Sequence, residues 1–192
     1  MSAASNPHIP AYLRSPGAEP MGGGPDAPPF RVGHGYDLHR LEPVAPQGDG
    51  RPFILGGVRI DYDRGPIGHS DGDALLHAIT DAILGSIGEP DIGQLFPDSD
   101  SAHEGQDSRV FLAEACRRLA AAGYCIGNLD ATVICQKPKL SAHKDAIRAH
   151  IAGLLGVGVS RVNVKGKTHE GVDAVGEQRA IEVHCVVLVR RI

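Results

Sequence analysis

Asp37, His39 and His77 constrain this chain more than any other residues. Asp37 and His39 sit two apart at the end of a segment, 31–37, that reads as a strand. Alternate side chains of an extended chain point the same way, so both face one spot. His77 follows the polar run His69-Ser70-Asp71-Gly72-Asp73, which reads as the start of a helix. One carboxylate and two imidazoles suit a catalytic zinc, or another divalent transition metal, with three protein ligands and a fourth position open. A fold that uses all three residues must bring the strand end against the helix start.

The 192 residues suffice for one domain with a real core. Aromatics are 4% and Trp is absent, so that core must come from Val, Ile, Leu and Ala. A formal charge of −4 argues against a general nucleic-acid binder. No apolar run approaches the roughly 20 residues of a membrane span. Cys116, Cys125, Cys135 and Cys185 form no Cys-x-x-Cys pair and read as reduced residues of a cytoplasmic protein. Of the histidines, His8, His103, His143 and His150 read as ordinary surface residues.

Residues 1–29 are rich in Pro and Gly, with no apolar periodicity, and read as a disordered tail. The tail lacks the apolar centre of a secretory signal, and its single arginine, Arg14, is poor for a transit peptide. Residues 30–192 form the domain. After the strand, a hairpin is predicted around Gly56-Gly57. A first helix spans about 71–86, with Ser70 as N-cap and Asp73 three residues later. Further helices are predicted over 108–122 and 141–155, and strands over 129–136, 162–165 and 180–189. Helices on one face of a mixed sheet give an α/β or α+β sandwich.

Several features invite phosphate. A helix N-terminus offers free N–H groups, and His69 and Ser70 would add donors there. The stretch Lys165-Gly166-Lys167-Thr168-His169-Glu170 follows a strand; its lysines and Thr168 can hold phosphate oxygens, and Glu170 can hold a hard cation such as Mg²⁺. Taken alone it could be a surface turn, just as the Asp73, His77, Asp81 stripe could be a solvated helix face. No phosphate-binding loop of the Walker type is present.

Taken in order, the segments 31–39, 55–60, 69–77, 91–93, 95–100, 107–109 and 162–165 resemble the 2-C-methyl-D-erythritol 2,4-cyclodiphosphate synthase family. The resemblance spans 31–189. It implies a ferredoxin-like-related fold, assembled as a homotrimer with active sites between subunits. It also implies a cytidine diphosphate substrate, 4-diphosphocytidyl-2-C-methyl-D-erythritol 2-phosphate, cyclised with release of CMP. Metal ligands would be Asp37, His39 and His77 for zinc, and Glu170 for Mg²⁺ or Mn²⁺ on the substrate diphosphate. His69 and Thr168 would stabilise the transition state. Substrate would touch Asp37, Leu38, His39, His69 and Ser70. Asp91, Ile92, Gly93 and the loop Phe96, Pro97, Asp98, Ser99, Asp100 would line its sugar side. Cys135, Gln136, Lys137, Pro138, Lys139, Leu140 and Ser141 would form the cytosine pocket, and Lys167, Thr168, His169, Glu170, Ala174 and Glu177 would complete the site. No nucleic acid or membrane partner is implied.

Two departures stand out. The family's run of threonines before the metal-binding Glu is here Lys167-Thr168-His169, and its Gly-Arg-Gly-Glu is here Gly176-Glu177-Gln178-Arg179. The charge exchange at Glu177 and Arg179 predicts weak binding of isoprenoid diphosphates in a central trimer cavity. Two other readings use the same ligands: a zinc-dependent phosphatase or nucleotide hydrolase, and a non-catalytic, ligand-sensing trimer with structural zinc. The hydrolase would need a metal-bound water as nucleophile, and structural zinc usually has four protein ligands, one more than the sequence offers.

Overall fold

The computed structural model describes residues 27–68, 70–97 and 105–192. In chain order these form β1 (Phe30–Pro43), β2 (Ile54–Leu55), β3 (Val58–Arg59), β4 (Arg64–Pro66), α1 (Ala74–Ser86), α2 (Ile92–Leu95), α3 (Ser108–Ala121), β5 (Tyr124–Ile134), α4 (Lys144–Leu155), β6 (Val162–Lys167), α5 (Asp173–Gly176) and β7 (Ala180–Arg191). Five strands make one sheet in the order β4-β1-β7-β5-β6. Only β5 and β6 run parallel; the other neighbours are antiparallel, so the sheet is mixed.

One face of the sheet is apolar and covered. Ile181, Val183, Cys185, Val187 and Val189 of β7 alternate inward, as do Leu129, Ala131 and Val133 of β5. They meet Leu75, Leu76, Ile79 and Ile83 of α1 and Ile147 and Ile151 of α4 in one cluster of buried residues. Glycine lets α1 lie unusually close to β1. A Cβ on Gly33 would come within 1.8 Å of the Ala82 carbonyl oxygen, and one on Gly35 within 1.9 Å of the Ala78 oxygen. Those glycines share their face with Asp37 and His39, two and four residues on from Gly35.

The opposite face stays open. Val32, Tyr36, Leu38 and Val186 are 44–64% exposed there.

The hairpin forms as predicted, with Ile54 opposite Arg59 and both turn glycines at positive φ, 59° and 76°. Other boundaries differ. β1 continues six residues past Asp37, because β7 pairs with it through Arg40 and β4 takes over at Leu41. β5 starts at Tyr124 rather than 129, crossing a bulge between Ile126 and Asn128 that the alternation alone does not reveal. The third long helix starts at Lys144, after a 3₁₀ turn at Leu140–Ala142. The short β4, α2 and α5 were not predicted.

The N-cap of α1 is Asp73, not Ser70. Its carboxylate accepts the N–H groups of Leu75 and Leu76. Two residues, Asp71 and Gly72, separate Ser70 from the cap, and Gly72 turns the chain there at φ 76°. All four cysteines are free thiols. Among the described residues no helix is long and apolar enough to cross a membrane.

Candidate active site

The end of the Asp37–His39 stretch of β1 lies against the first turn of α1. Asp37 Oδ2 is 2.8 Å from His39 Nε2 and 3.1 Å from His77 Nδ1. His39 Nε2 and His77 Nδ1 are 3.2 Å apart. All three side chains are largely buried; that of His77 is 11% exposed. Three donor atoms of these kinds, mutually within 4.8 Å, fit a divalent transition metal.

The charges agree with that arrangement. Burial pushes the Asp37 carboxyl up, but hydrogen bonds from His39 and His77 outweigh it and hold the group well below the ordinary carboxylate range. Burial lowers His39, and its bond to Asp37 more than compensates, so the imidazole is raised. The Ile67 carbonyl also accepts a hydrogen bond from the His39 ring. On the far side of His77, Nε2 lies 2.8 Å from Ser108 Oγ and 3.2 Å from Ser70 Oγ.

A cleft of about 330 Å³ opens over the trio, lined by Asp37, His39, Ile67, Gly68, Ser70, His77, Ile92, Gly93, Phe96 and Phe111. Asp81, one turn beyond His77, accepts the Ile92 N–H at 2.8 Å and so anchors α2 over the cleft. Asp91 caps α2 through the Gln94 N–H and is exposed. The Phe96 ring packs 4.7 Å from that of Phe111, which in turn lies 6.0 Å from His77.

A second cleft, about 290 Å³, lies at the ends of β5 and β6. Cys135, Gln136, Pro138, Lys139, Leu140, Ser141, Lys144, Gly166, Lys167, Thr168 and Glu170 line it. Three lysines against one carboxylate favour an anion there. Thr168 Oγ1 donates to Glu170 Oε1 at 2.6 Å. Burial raises the Cys135 thiol to about 11, which leaves it a poor nucleophile.

The two clefts share no residue. Asp37, Val183, Val133 and Gly166 lie in line across four strands, which at sheet spacing puts the clefts about 14 Å apart. A third hollow, about 510 Å³, holds Leu38, Arg40, Arg64, Ala174 and Arg179. The Leu38 side chain therefore points away from the metal trio, as the residue between Asp37 and His39 must. Glu177 and Arg179 pair within the chain, at 2.6 and 2.8 Å, and His169 Nδ1 meets Asp173 Oδ2 at 2.8 Å. Lys137 and Pro97 line neither cleft. His69 and Asp98, Ser99 and Asp100 lie outside the described residues, as do His8 and His103.

The residues 30–190 match the model of the YgbB family. The chain belongs to the YgbB family. Curated relatives agree with the match. The rice 2-C-methyl-D-erythritol 2,4-cyclodiphosphate synthase, a chloroplastic enzyme, is 53% identical over 99% of this chain and 80% of its own. The Pelobacter propionicus enzyme is 50% identical over 83% of this chain and 98% of its own. Among solved structures, the Plasmodium falciparum IspF complex with CDP superposes with a TM-score of 0.74 at 38% identity, covering 84% of this chain and 96% of that one. The bifunctional IspDF of Campylobacter jejuni gives 0.79 at 36%, covering 85% of this chain and 42% of that one.

Phe111, Ile67 and Lys144 line the two clefts, and buried Ser108 backs His77, without having been singled out in the sequence. Ser108 sits in the quoted stretch 107–109, but nothing local says that it meets His77, 31 positions away.

Proposed function

We infer that this chain is a 2-C-methyl-D-erythritol 2,4-cyclodiphosphate synthase of the non-mevalonate route to isoprenoid precursors. It cyclises 4-diphosphocytidyl-2-C-methyl-D-erythritol 2-phosphate and releases CMP, as a phosphorus–oxygen lyase. The observation that carries this is the Asp37, His39 and His77 trio in an open cleft, in a chain matched to the family from 30 to 190. Relatives of that name and a CDP-bound neighbour support it.

In the reaction an oxygen of the 2-phosphate attacks the β-phosphorus, and the bond from that phosphorus to the oxygen bridging it to the α-phosphate breaks. The electron pair leaves with CMP. The nucleophile belongs to the substrate, so no enzyme nucleophile is needed and positioning supplies much of the rate. Asp37, His39 and His77 would hold zinc and Glu170 would hold Mg²⁺ or Mn²⁺, which when bound would supply positive charge against the charge developing on the diphosphate. Ser70 and His69 serve the phosphate at the first site; Thr168 and Lys167 serve it at the second. The loop 135–141 holds the cytosine, and Phe96 with Ile92 and Gly93 walls the sugar side.

The separation of the two clefts supports a site completed between copies, with one subunit's trio facing its neighbour's nucleotide cleft. The open sheet face, with Val32, Tyr36, Leu38 and Val186 exposed, suits burial in a homotrimer. In this reading 30–192 is the synthase unit, 1–29 is a tail, the fold is ferredoxin-like-related, and the protein works in the cytoplasm. Phosphorus NMR with the diphosphocytidyl substrate and Mg²⁺ tests the activity. Cyclic diphosphate plus CMP is expected from wild type and is lost in His77→Ala. CMP with an open-chain phosphate would overturn cyclisation in favour of hydrolysis.

A further inference from the structure

His77 offers the trio one ring nitrogen, and the other nitrogen decides which. Its Nε2 lies 2.8 Å from Ser108 Oγ. Ser108 is wholly buried at the first turn of α3. Its hydroxyl donates to Asp71 Oδ1, and its own N–H donates to Asp71 Oδ2 at 3.1 Å. Asp71 is tied in turn: its N–H goes to the Gln106 carbonyl, and its Oδ1 also accepts the Asp73 N–H at 3.2 Å.

An ionised carboxylate only accepts, and a serine hydroxyl has a single hydrogen. Once that hydrogen is given to Asp71, Ser108 Oγ can only accept from His77. Ser70 Oγ, at 3.2 Å, is the looser contact. A ring with hydrogen on Nε2 keeps its lone pair on Nδ1, the atom 3.1 Å from Asp37 and 3.2 Å from His39.

We propose that Ser108, oriented by Asp71, is a positioning residue: it holds His77 in the tautomer that presents the Nδ1 lone pair to the metal trio. This rests on reading Asp37, His39 and His77 as metal ligands. It reaches beyond that reading by giving the ligand field a partner on a different helix. Hydrogen-bonded partners of metal-binding histidines commonly fix ring orientation and basicity in this way.

Without metal the His77 Nδ1 faces the Asp37 carboxylate and donates to it, so the direct test is nitrogen NMR of zinc-bound, ¹⁵N-histidine-labelled protein, with the His77 ring assigned by through-bond correlation. Wild type should show zinc on Nδ1 and hydrogen on Nε2. Zinc affinity, read by competition with a chromophoric chelator, should fall about 10–100-fold in Ser108→Ala. Asp71→Asn should cost at least as much, because its amide can donate to Ser108 and turn the hydroxyl onto His77 Nε2. The thermal midpoint without metal checks that Ser108→Ala, which keeps its N–H bond to Asp71, has not merely loosened α3.

Zinc on Nε2, with hydrogen on Nδ1, in wild type would overturn the proposal, and that measurement needs no variant to fold. Folded Ser108→Ala and Asp71→Asn proteins with zinc affinity within about twofold of wild type would overturn it equally. If wild type binds no zinc, and His39→Ala changes nothing, the failure lies in the metal reading beneath it.

Discussion

Asp73 Oδ2 accepts the Gly57 N–H across 2.6 Å, joining the hairpin turn to the first turn of α1. Its other oxygen accepts the N–H groups of Gly56, Leu75 and Leu76 at 2.9, 3.1 and 3.0 Å. One wholly buried carboxylate thus sets the start of the helix that carries His77. Asp73→Ala would strand those donors in the core, at a cost of roughly 3 kcal/mol or more. Asp73→Asn, whose amide oxygen still accepts, should lose less. Midpoints of denaturant unfolding for the two variants check the order.

The approach of α1 to β1 is backbone against backbone at Gly35, so no rotamer can relieve a side chain there. Gly35→Ala should push α1 off the strand and carry His77 away from Asp37 and His39. Destabilisation of about 3 kcal/mol is expected, with loss of stoichiometric zinc. Thermal unfolding and metal analysis of the same preparation test both halves; a variant with wild-type zinc content would contradict the geometry.

Lys167 lines the second cleft beside Thr168 and Glu170. If it meets substrate phosphate in the ground state and the transition state alike, Lys167→Ala should raise KM about tenfold with little change in kcat. The defect should shrink as salt is added, because an exposed charge is screened. Steady-state kinetics at two ionic strengths decide it.

Acid should loosen the join between α3 and the end of α1. Hydrogen bonds from Arg117, opposed by partial burial, and then from Arg118, bring Glu114 down to about 2. Arg118 also holds Glu89 at 2.7 Å. A carboxylate whose folded value is depressed stabilises above its unfolded value and loses that contribution as pH falls through the folded one. The loss should therefore appear from the ordinary glutamate range down to about pH 2. Glu114→Gln should be slightly less stable near neutrality and should show a shallower decline over that window, measured by unfolding at stepped pH.

Local patterns in the chain were enough for part of its local structure, though not for β4, α2, α5 or the cap of α1. The two-residue spacing of Asp37 and His39 put both on one side of β1, and Gly56-Gly57 made the hairpin, because strand alternation and turn conformation depend on immediate neighbours. The composition excluded an aromatic core, and the ordered motifs matched the family.

Tertiary structure decided the rest. Ser70 and Asp73 are both plausible caps in sequence; burial of Asp73 against Gly56 and Gly57 chose between them. Asp81 reads as a solvated stripe residue until α2 folds over it. The partnership of Ser108 with His77 joins α3 to α1. The trio and the Lys167 cleft, both expected in a site between subunits, stand about 14 Å apart within one chain because β7 and β5 lie between β1 and β6. Contacts between distant segments depend on strand order and helix packing, which the whole core settles at once and no short stretch encodes.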